Sequence, residues 1–241
     1  MNEEDVLLAD DVPLLLSLRG VRSASPAIDH LTRDDARLHG WVGKRMLDVA
    51  VALILLFATV PLFVATALVI KLTSAGPVFF RQRRVGRGGD EFPMLKFRTM
   101  HTDAEARLRS DPELYDLFVR SGHKIPCRLD PRITRIGGVL RRLSLDELPQ
   151  LFNVLTGHMS VVGPRPVERS QFLSDYCGHE HAYLPLRPGL TGLWQVSGRS
   201  TVQFPERAEL DAQYMRACGP WLDAKIILRT PVVVLKGLGA E

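Results

Sequence analysis

Cysteine is scarce: three residues in 241, at 127, 177 and 218, far apart and odd in number, with no Cys-x-x-Cys. That excludes a disulfide framework or a zinc ribbon as the basis of the fold and fits a reduced setting. Aromatic residues make up only 7% of the chain. They are too few around the arginine clusters to stack bases, and no nucleic-acid-binding motif is present, so no nucleic-acid partner is expected. The glycines near residue 88 are not followed by Gly-Lys-Ser/Thr, which excludes a P-loop. The opening stretch "MNEEDVLLADD" lacks the basic charge with which a cleaved signal peptide begins. No internal repeat and no low-complexity tract occurs.

What is present is unevenly charged. Residues 1–40 carry four arginines against eight acids, whereas the remainder holds 27 basic and 19 acidic residues. The lead-in mixes charge, serine and proline without a sustained period and is read as variable and partly disordered. The basic body points to a polyanionic partner, and with nucleic acid set aside that leaves an anionic membrane surface or a phosphorylated substrate.

Between these parts lies the strongest hydrophobic feature. Residues 49–70 contain no charge, a length that can cross a bilayer as one helix. Pro61 interrupts the run, and a mid-helix proline removes a hydrogen bond and kinks or breaks the helix. Lys44 and Arg45 precede the run, and Lys71, Arg81, Arg83, Arg84 and Arg87 follow it. Positive charge marks the cytoplasmic side, and here both ends claim it. A re-entrant helix-break-helix satisfies both signals; a kinked single span and a buried core helix remain open.

The following segment, "VFFRQRRVGRGGDEFPMLKFRTM", has two apolar-rich arms around a glycine turn and predicts a β-hairpin. Residues 102–120 predict a polar helix. "DPRITRIGGVLRRLSLDELPQLFNVLTG" predicts a short amphipathic helix, a Gly-Gly interruption and a second helix after Ser144. "MSVV" is strand-like. In "GPRP", the flanking prolines pre-position Arg165 at little entropic cost, and guanidinium matches phosphate geometry. "RPGLTGLWQVSGRS" reads as a glycine-rich loop holding Arg199. The apolar C-terminal stretch with spaced cations, broken at Pro231, suits an interfacial helix. "CGHEHAY" offers three metal-ligand types without a second pair and reads as a polar loop.

Asp146 and Glu147 lie side by side in "LRRLSLDELPQL". The pattern Ser144-x-x-Glu147 is a capping box, and both acids suit the start of a helix. Taking Ser144 as the N-cap puts Pro149 in the helix interior, whereas taking Asp146 as the N-cap puts it in the tolerated first turn. Either way Asp146 is expected at an exposed helix N-terminus. Alternatively the pair is chemistry. Nearby cations keep a carboxylate ionised, and an ionised aspartate can attack phosphorus or bind magnesium.

Taken together, "KRMLDVAVA", the hairpin ending in "KFRTM", the "DPRITR…LDELPQL…GPRP" segment and "RPGLTGLWQVSGR" resemble the bacterial sugar transferases of the monotopic phosphoglycosyl transferase superfamily. The likeness is to the shorter members that start exopolysaccharide repeat units, and it covers residues 44–238. It implies an aspartate nucleophile at Asp146 with its partner Glu147, and Mg²⁺ at this pair. Lys96, Arg98, Arg141, Arg165 and Arg199 fall at basic positions near phosphates and nucleotide. Pro61 falls at the break of a re-entrant helix, with Val60 where relatives often have serine.

The implied activity moves a hexose-1-phosphate from a UDP-sugar, glucose or galactose, to undecaprenyl phosphate. UMP leaves, and the route passes through a covalent aspartyl-phosphosugar. A non-catalytic membrane-tethered scaffold and an ordinary UDP-releasing glycosyl transferase are the alternatives. The implied setting is the cytoplasmic leaflet of a bacterial inner membrane, with a homodimer left open. The expected fold is α/β and α-rich: a variable segment over 1–40, a re-entrant membrane helix over 41–75, and a small cytosolic catalytic domain over 76–241. That domain would hold a short hairpin or sheet and amphipathic interfacial helices, a minimal catalytic form.

Overall fold

The computed structural model describes residues 42–120, 125–198 and 201–235. The predicted lead-in over 1–40 and Arg199 lie outside the described residues. The first element is a 32-residue helix, α1 (Val42–Thr73), long and apolar enough by length and composition to cross a membrane. Helical geometry continues through Pro61 rather than stopping there. The proline removes one backbone donor, and packing on both sides of it keeps the helix together. Thr59 Oγ1, two residues before the proline, donates to the carbonyl of Leu55 one turn back at 2.7 Å.

The burial of α1 follows one stripe. Lys44, Asp48, Ala52, Thr66 and Ile70 are buried, and Leu56, Thr59, Phe63 and Ala67 are partly buried. Steps of three and four residues keep them on one face. The opposite face exposes Leu53, Ile54, Leu55, Phe57, Val60, Leu62, Val64, Leu68 and Leu72. The rest of the fold therefore packs along α1 from its first turn to its last.

The predicted hairpin forms. β1 (Phe79–Val85) and β2 (Glu91–Phe97) pair antiparallel, from Phe79 opposite Phe97 to Val85 opposite Glu91. A 3₁₀ turn, Arg87–Gly89, joins them, with Gly88 at φ 73°, where a side chain is disfavoured. Residues 102–120 form two helices, α2 (Ala104–Arg109) and α3 (Pro112–Arg120). Asp111 makes the break: its Oδ1 accepts from the Leu114 amide at 3.0 Å, and Pro112 occupies the first helical position.

Helix α4 (Arg135–Arg142) contains the Gly-Gly pair that was expected to interrupt it. Thr134 caps it, its hydroxyl accepting from Gly137 N at 2.9 Å. A Cβ on Gly137 would collide with the Thr99 carbonyl, so this glycine allows a close approach rather than a break. Next come α5 (Gln150–Thr156), β3 (Ser160–Val162), α6 (Arg169–Asp175), β4 (Gly189–Thr191), α7 (Leu193–Ser197), α8 (Glu206–Ala217) and α9 (Pro220–Leu235). The stretch read as a glycine-rich loop over 187–200 is thus partly strand and helix. β4 pairs parallel with β3, Ser160 opposite Gly189. Helix α9 continues through Pro231, which was expected to break it.

One core cluster joins Ala52 of α1 to Phe92, Met94, Leu151, Val154, Met159, Val162, Tyr214 and Ile226. A second joins Ile70 to Phe97 and Leu140, with Phe63 against Phe97 at 4.7 Å between ring centres. A third gathers Val85, Phe172, Tyr176 and Tyr183 beneath the hairpin. The result is helix-rich, with small sheets and one long apolar helix laid along it.

Candidate active site

The acidic pair lies between α4 and α5. After Arg142 the chain turns through Ser144, held left-handed at φ 55°, into a 3₁₀ turn, Leu145–Glu147. A non-glycine residue adopts that conformation at a cost of roughly 1–2 kcal/mol. The Ser144 side chain caps nothing, so the expected capping box does not form. Pro149 sits at the N-cap of α5, where its missing N–H costs nothing. The helix therefore starts later than either expected arrangement.

Residues three apart eclipse in a 3₁₀ turn. Leu145 and Leu148 consequently share a face and pack on the Ile70–Phe97–Leu140 cluster. This pins the turn, buries Asp146 to 7% exposure and leaves Glu147 half-buried at a cleft. The expectation of Asp146 at an exposed helix N-terminus is corrected: Asp146 is buried within the 3₁₀ turn that precedes α5. Burial pushes its pKa up to about 6, the neighbouring Glu147 charge adds to the rise, and Lys96 and Arg141 oppose it.

The cleft is lined by Arg84, Met94, Lys96, Glu147, Gln150, Arg165, Pro166, Gly189, Leu190 and Gln195. Lys96 Nζ lies 3.4 Å from Glu147 Oε1, and Arg165 Nη2 lies 3.9 Å from the same oxygen. Lys96 comes from β2, whose edge is tied to α5 by one side chain. Asn153 Oδ1 accepts from Leu95 N at 2.9 Å, and its Nδ2 donates to the Pro93 carbonyl at 2.9 Å. Strand and helix are thereby locked so that Lys96 meets Glu147. Arg141 stands behind the pair, its Nε donating to Thr99 Oγ1 at 2.9 Å.

Arg98 does not join them. Its guanidinium donates to the Ser74 carbonyl at 2.9 Å, to Ser74 Oγ at 2.8 Å and to the Ala75 carbonyl. It clamps the chain where it leaves α1. Alternation along β2 would put Arg98 on the same side as Lys96, but Arg98 lies past Phe97, the last paired residue of the strand, beside Ser74 and Ala75 at the exit of α1. Sequence reading also missed cleft residues. Arg84 was grouped with Arg81, Arg83 and Arg87 as the positive flank of the apolar run, yet Arg81 and Arg83 are exposed while Gln82 and Arg84 turn inward. The period-2 alternation of a strand was the available signal. Burial lowers the pKa of Arg84, Glu168 opposing and Arg165 adding to the effect. Gln150 and Gln195 carried no signal without the fold.

The donor set fits a magnesium ion. Mg²⁺ takes oxygen ligands and is held by one or two carboxylates together with substrate phosphates; Glu147 at the cleft and Asp146 beside it supply that chemistry. Three cations around the same cleft suit a diphosphate.

The chain is similar to known proteins over most of its length. The chain is 42% identical over 201 residues to the exopolysaccharide production protein ExoY of Sinorhizobium fredii, covering 81% of this chain and 87% of the relative. It is 42% identical over 202 residues to the undecaprenyl-phosphate galactose phosphotransferase of Salmonella typhimurium, covering 82% of this chain and 41% of that protein. It is 41% identical over 204 residues to the UDP-glucose:undecaprenyl-phosphate glucose-1-phosphate transferase of Xanthomonas campestris, covering 80% of this chain and 39% of that protein. The bacterial sugar transferase model matches residues 39–237, a span holding the whole acid-and-cation cleft, and the chain belongs to the bacterial sugar transferase family.

Proposed function

We propose that the protein transfers a hexose-1-phosphate from a UDP-hexose to undecaprenyl phosphate, releasing UMP. The observation that carries this reading is the buried Asp146 beside Glu147 at a cleft ringed by Lys96, Arg165 and Arg84. Relatives named for glucose and galactose transfer point to a hexose donor.

In the first step an Asp146 carboxylate oxygen attacks the sugar-linked phosphorus. The bond from that phosphorus to the bridging oxygen breaks, and the oxygen leaves with UMP. In the second, an oxygen of undecaprenyl phosphate attacks the same phosphorus and displaces Asp146, giving undecaprenyl diphosphate-hexose and the free carboxylate. Burial favours this role, because a carboxylate stripped of water is more basic and hence a better nucleophile once ionised. Lys96 and Arg165 orient the diphosphate and neutralise charge developing on the leaving UMP. Glu147 and Asp146 would hold Mg²⁺, which when bound screens the diphosphate charge.

The membrane placement follows the same reading: α1 enters and leaves the bilayer by the cytoplasmic face. Its contact stripe supports this. At about 1.5 Å per residue α1 is roughly 48 Å long, and protein packs on it from Lys44 to Ile70. A helix crossing the roughly 30 Å hydrocarbon core would carry that polar, packed domain into lipid. A helix whose two ends stay at one face keeps the domain in water and gives the lipid the exposed leucine, valine and phenylalanine side.

Purified protein with Mg²⁺, UDP-hexose and undecaprenyl phosphate should release UMP in step with lipid-linked product. Release of UDP instead would identify an ordinary glycosyl transferase and overturn the phosphosugar route.

A further inference from the structure

Lys44 is a lysine that the sequence assigns to the membrane surface, yet it is 6% exposed. Its Nζ lies 2.9 Å from Asp48 Oδ1 in the next turn of α1 and 2.7 Å from Asp223 Oδ2 of α9. It also donates to the Val162 carbonyl of β3 at 3.4 Å. Both carboxylates are 1% exposed and both reach β3 or its neighbours. Asp48 accepts from Ser160 Oγ at 2.9 Å and from Val161 N at 3.1 Å. Asp223 accepts from Tyr214 Oη at 2.8 Å, and the same hydroxyl lies 3.1 Å from the Val162 carbonyl. One cation on α1 thus grips β3 from two sides, through α1 and through α9.

The strand continues into Gly163-Pro164-Arg165-Pro166. Gly163 N donates to the Thr191 carbonyl at 2.9 Å, and Gly189 N donates to the Pro164 carbonyl at 2.8 Å. A Cβ on Gly189 would collide with Gly163 N, and one on Gly192 with the Gly163 carbonyl. Strands this close cannot slide independently, and two prolines stiffen the loop that follows. A shift at Ser160–Val162 therefore moves Arg165 and the cleft wall at Gly189 and Leu190 together. Packed apolar residues hold helices together at least as well as a buried ion triad does, whereas such a triad fixes one geometry.

We propose that Lys44 is a positioning residue for Arg165: through Asp48 and Asp223 it seats β3 against α1, so the cleft takes its competent shape only when the first turn of the membrane helix is docked. The activity arm of the test rests on the function proposed above; the exchange arm does not.

Full-length Lys44→Met in lipid nanodiscs should speed amide exchange in the peptides spanning 160–165 and 189–191 by about tenfold or more, leaving 145–156 protected as in the parent protein. With UDP-hexose it should raise KM more than it lowers kcat. In a double-mutant cycle with Arg165→Ala the two losses should be far from multiplicative, since both remove the same contact to the diphosphate. Asp48→Asn, which keeps the side-chain size, should reproduce the pattern if Lys44→Met does not fold. Unchanged exchange at 160–165, an equal rise throughout the chain in both variants, or fully multiplicative losses would overturn the proposal. A parent protein without UDP-hexose turnover would refute the function while the exchange result still decides the coupling.

Discussion

At the residue scale the chemistry depends on where single side chains stop. Asp146→Asn should abolish UMP release by about a thousandfold or more, with the fold intact by circular dichroism; full turnover would remove Asp146 as the nucleophile. Gly137→Ala should destabilise by about 1–3 kcal/mol in thermal denaturation, because its Cβ meets the Thr99 carbonyl with no room to give. Gly138→Ala, where nothing lies within reach of a Cβ, should be neutral or stabilising. Lys96, Glu147 and Arg165 were legible from sequence because their motifs are short and stiff, and the structure brings all three to one cleft. Arg98 was not legible as a chain clamp, since its partners, Ser74 and Ala75, lie more than twenty residues away and declare nothing. Ser144 misled for the opposite reason. Its pattern with Glu147 is a local signature, and the anchoring of Leu145 and Leu148 in the core overrode it.

At the element scale, contacts between neighbours decide what a segment becomes. Asn153 is the single side chain that hydrogen-bonds both the Leu95 amide and the Pro93 carbonyl of β2. Asn153→Ala leaves that donor and acceptor unmet, which should cost about 1–3 kcal/mol of stability. Because the same contact places Lys96, kcat/KM should fall further than the stability loss explains; equal activity per folded molecule would argue against that link. Pro231 was over-read as a breaker, whereas Pro61, read as a kink or a break, stands inside one helix. Pro61 and Pro231 remain inside helices because losing one hydrogen bond is outweighed by side chains packed on both sides, Leu56 before and Phe63 after the first, Ile226 before and Val233 after the second. The hairpin was fully readable, since alternation and a glycine turn are local properties.

At the scale of the whole molecule, two predictions concern the membrane helix and pH. In a cysteine-free background, single cysteines at Met46 and Leu72, both exposed, should react with a membrane-impermeant reagent from the same face of sealed vesicles. Labelling from opposite faces would restore a kinked span. Asp211 on α8 is buried and bonded through one oxygen to Tyr176 Oη at 2.8 Å. Burial pushes its pKa up to about 7, so the native state holds this proton more tightly than the unfolded chain does. Its contribution to stability is complete below the ordinary carboxylate pKa and is lost as pH rises toward about 7. The thermal midpoint should therefore drop between about pH 4 and about pH 7, and Asp211→Asn should flatten that drop; an unchanged slope would place the titration elsewhere.

By itself the sequence determined the long apolar helix, the hairpin, the acid pair and the cations around it, and through their order the family. Each of these is carried by local spacing, which survives without knowledge of the fold. Only the tertiary structure decided that Asp146 is buried, that Arg84 belongs to the cleft and Arg98 to the exit of α1, and that Lys44 faces inward. Those outcomes depend on contacts between residues distant along the chain, and their energies exist only once α1, β2, β3 and α9 are packed together.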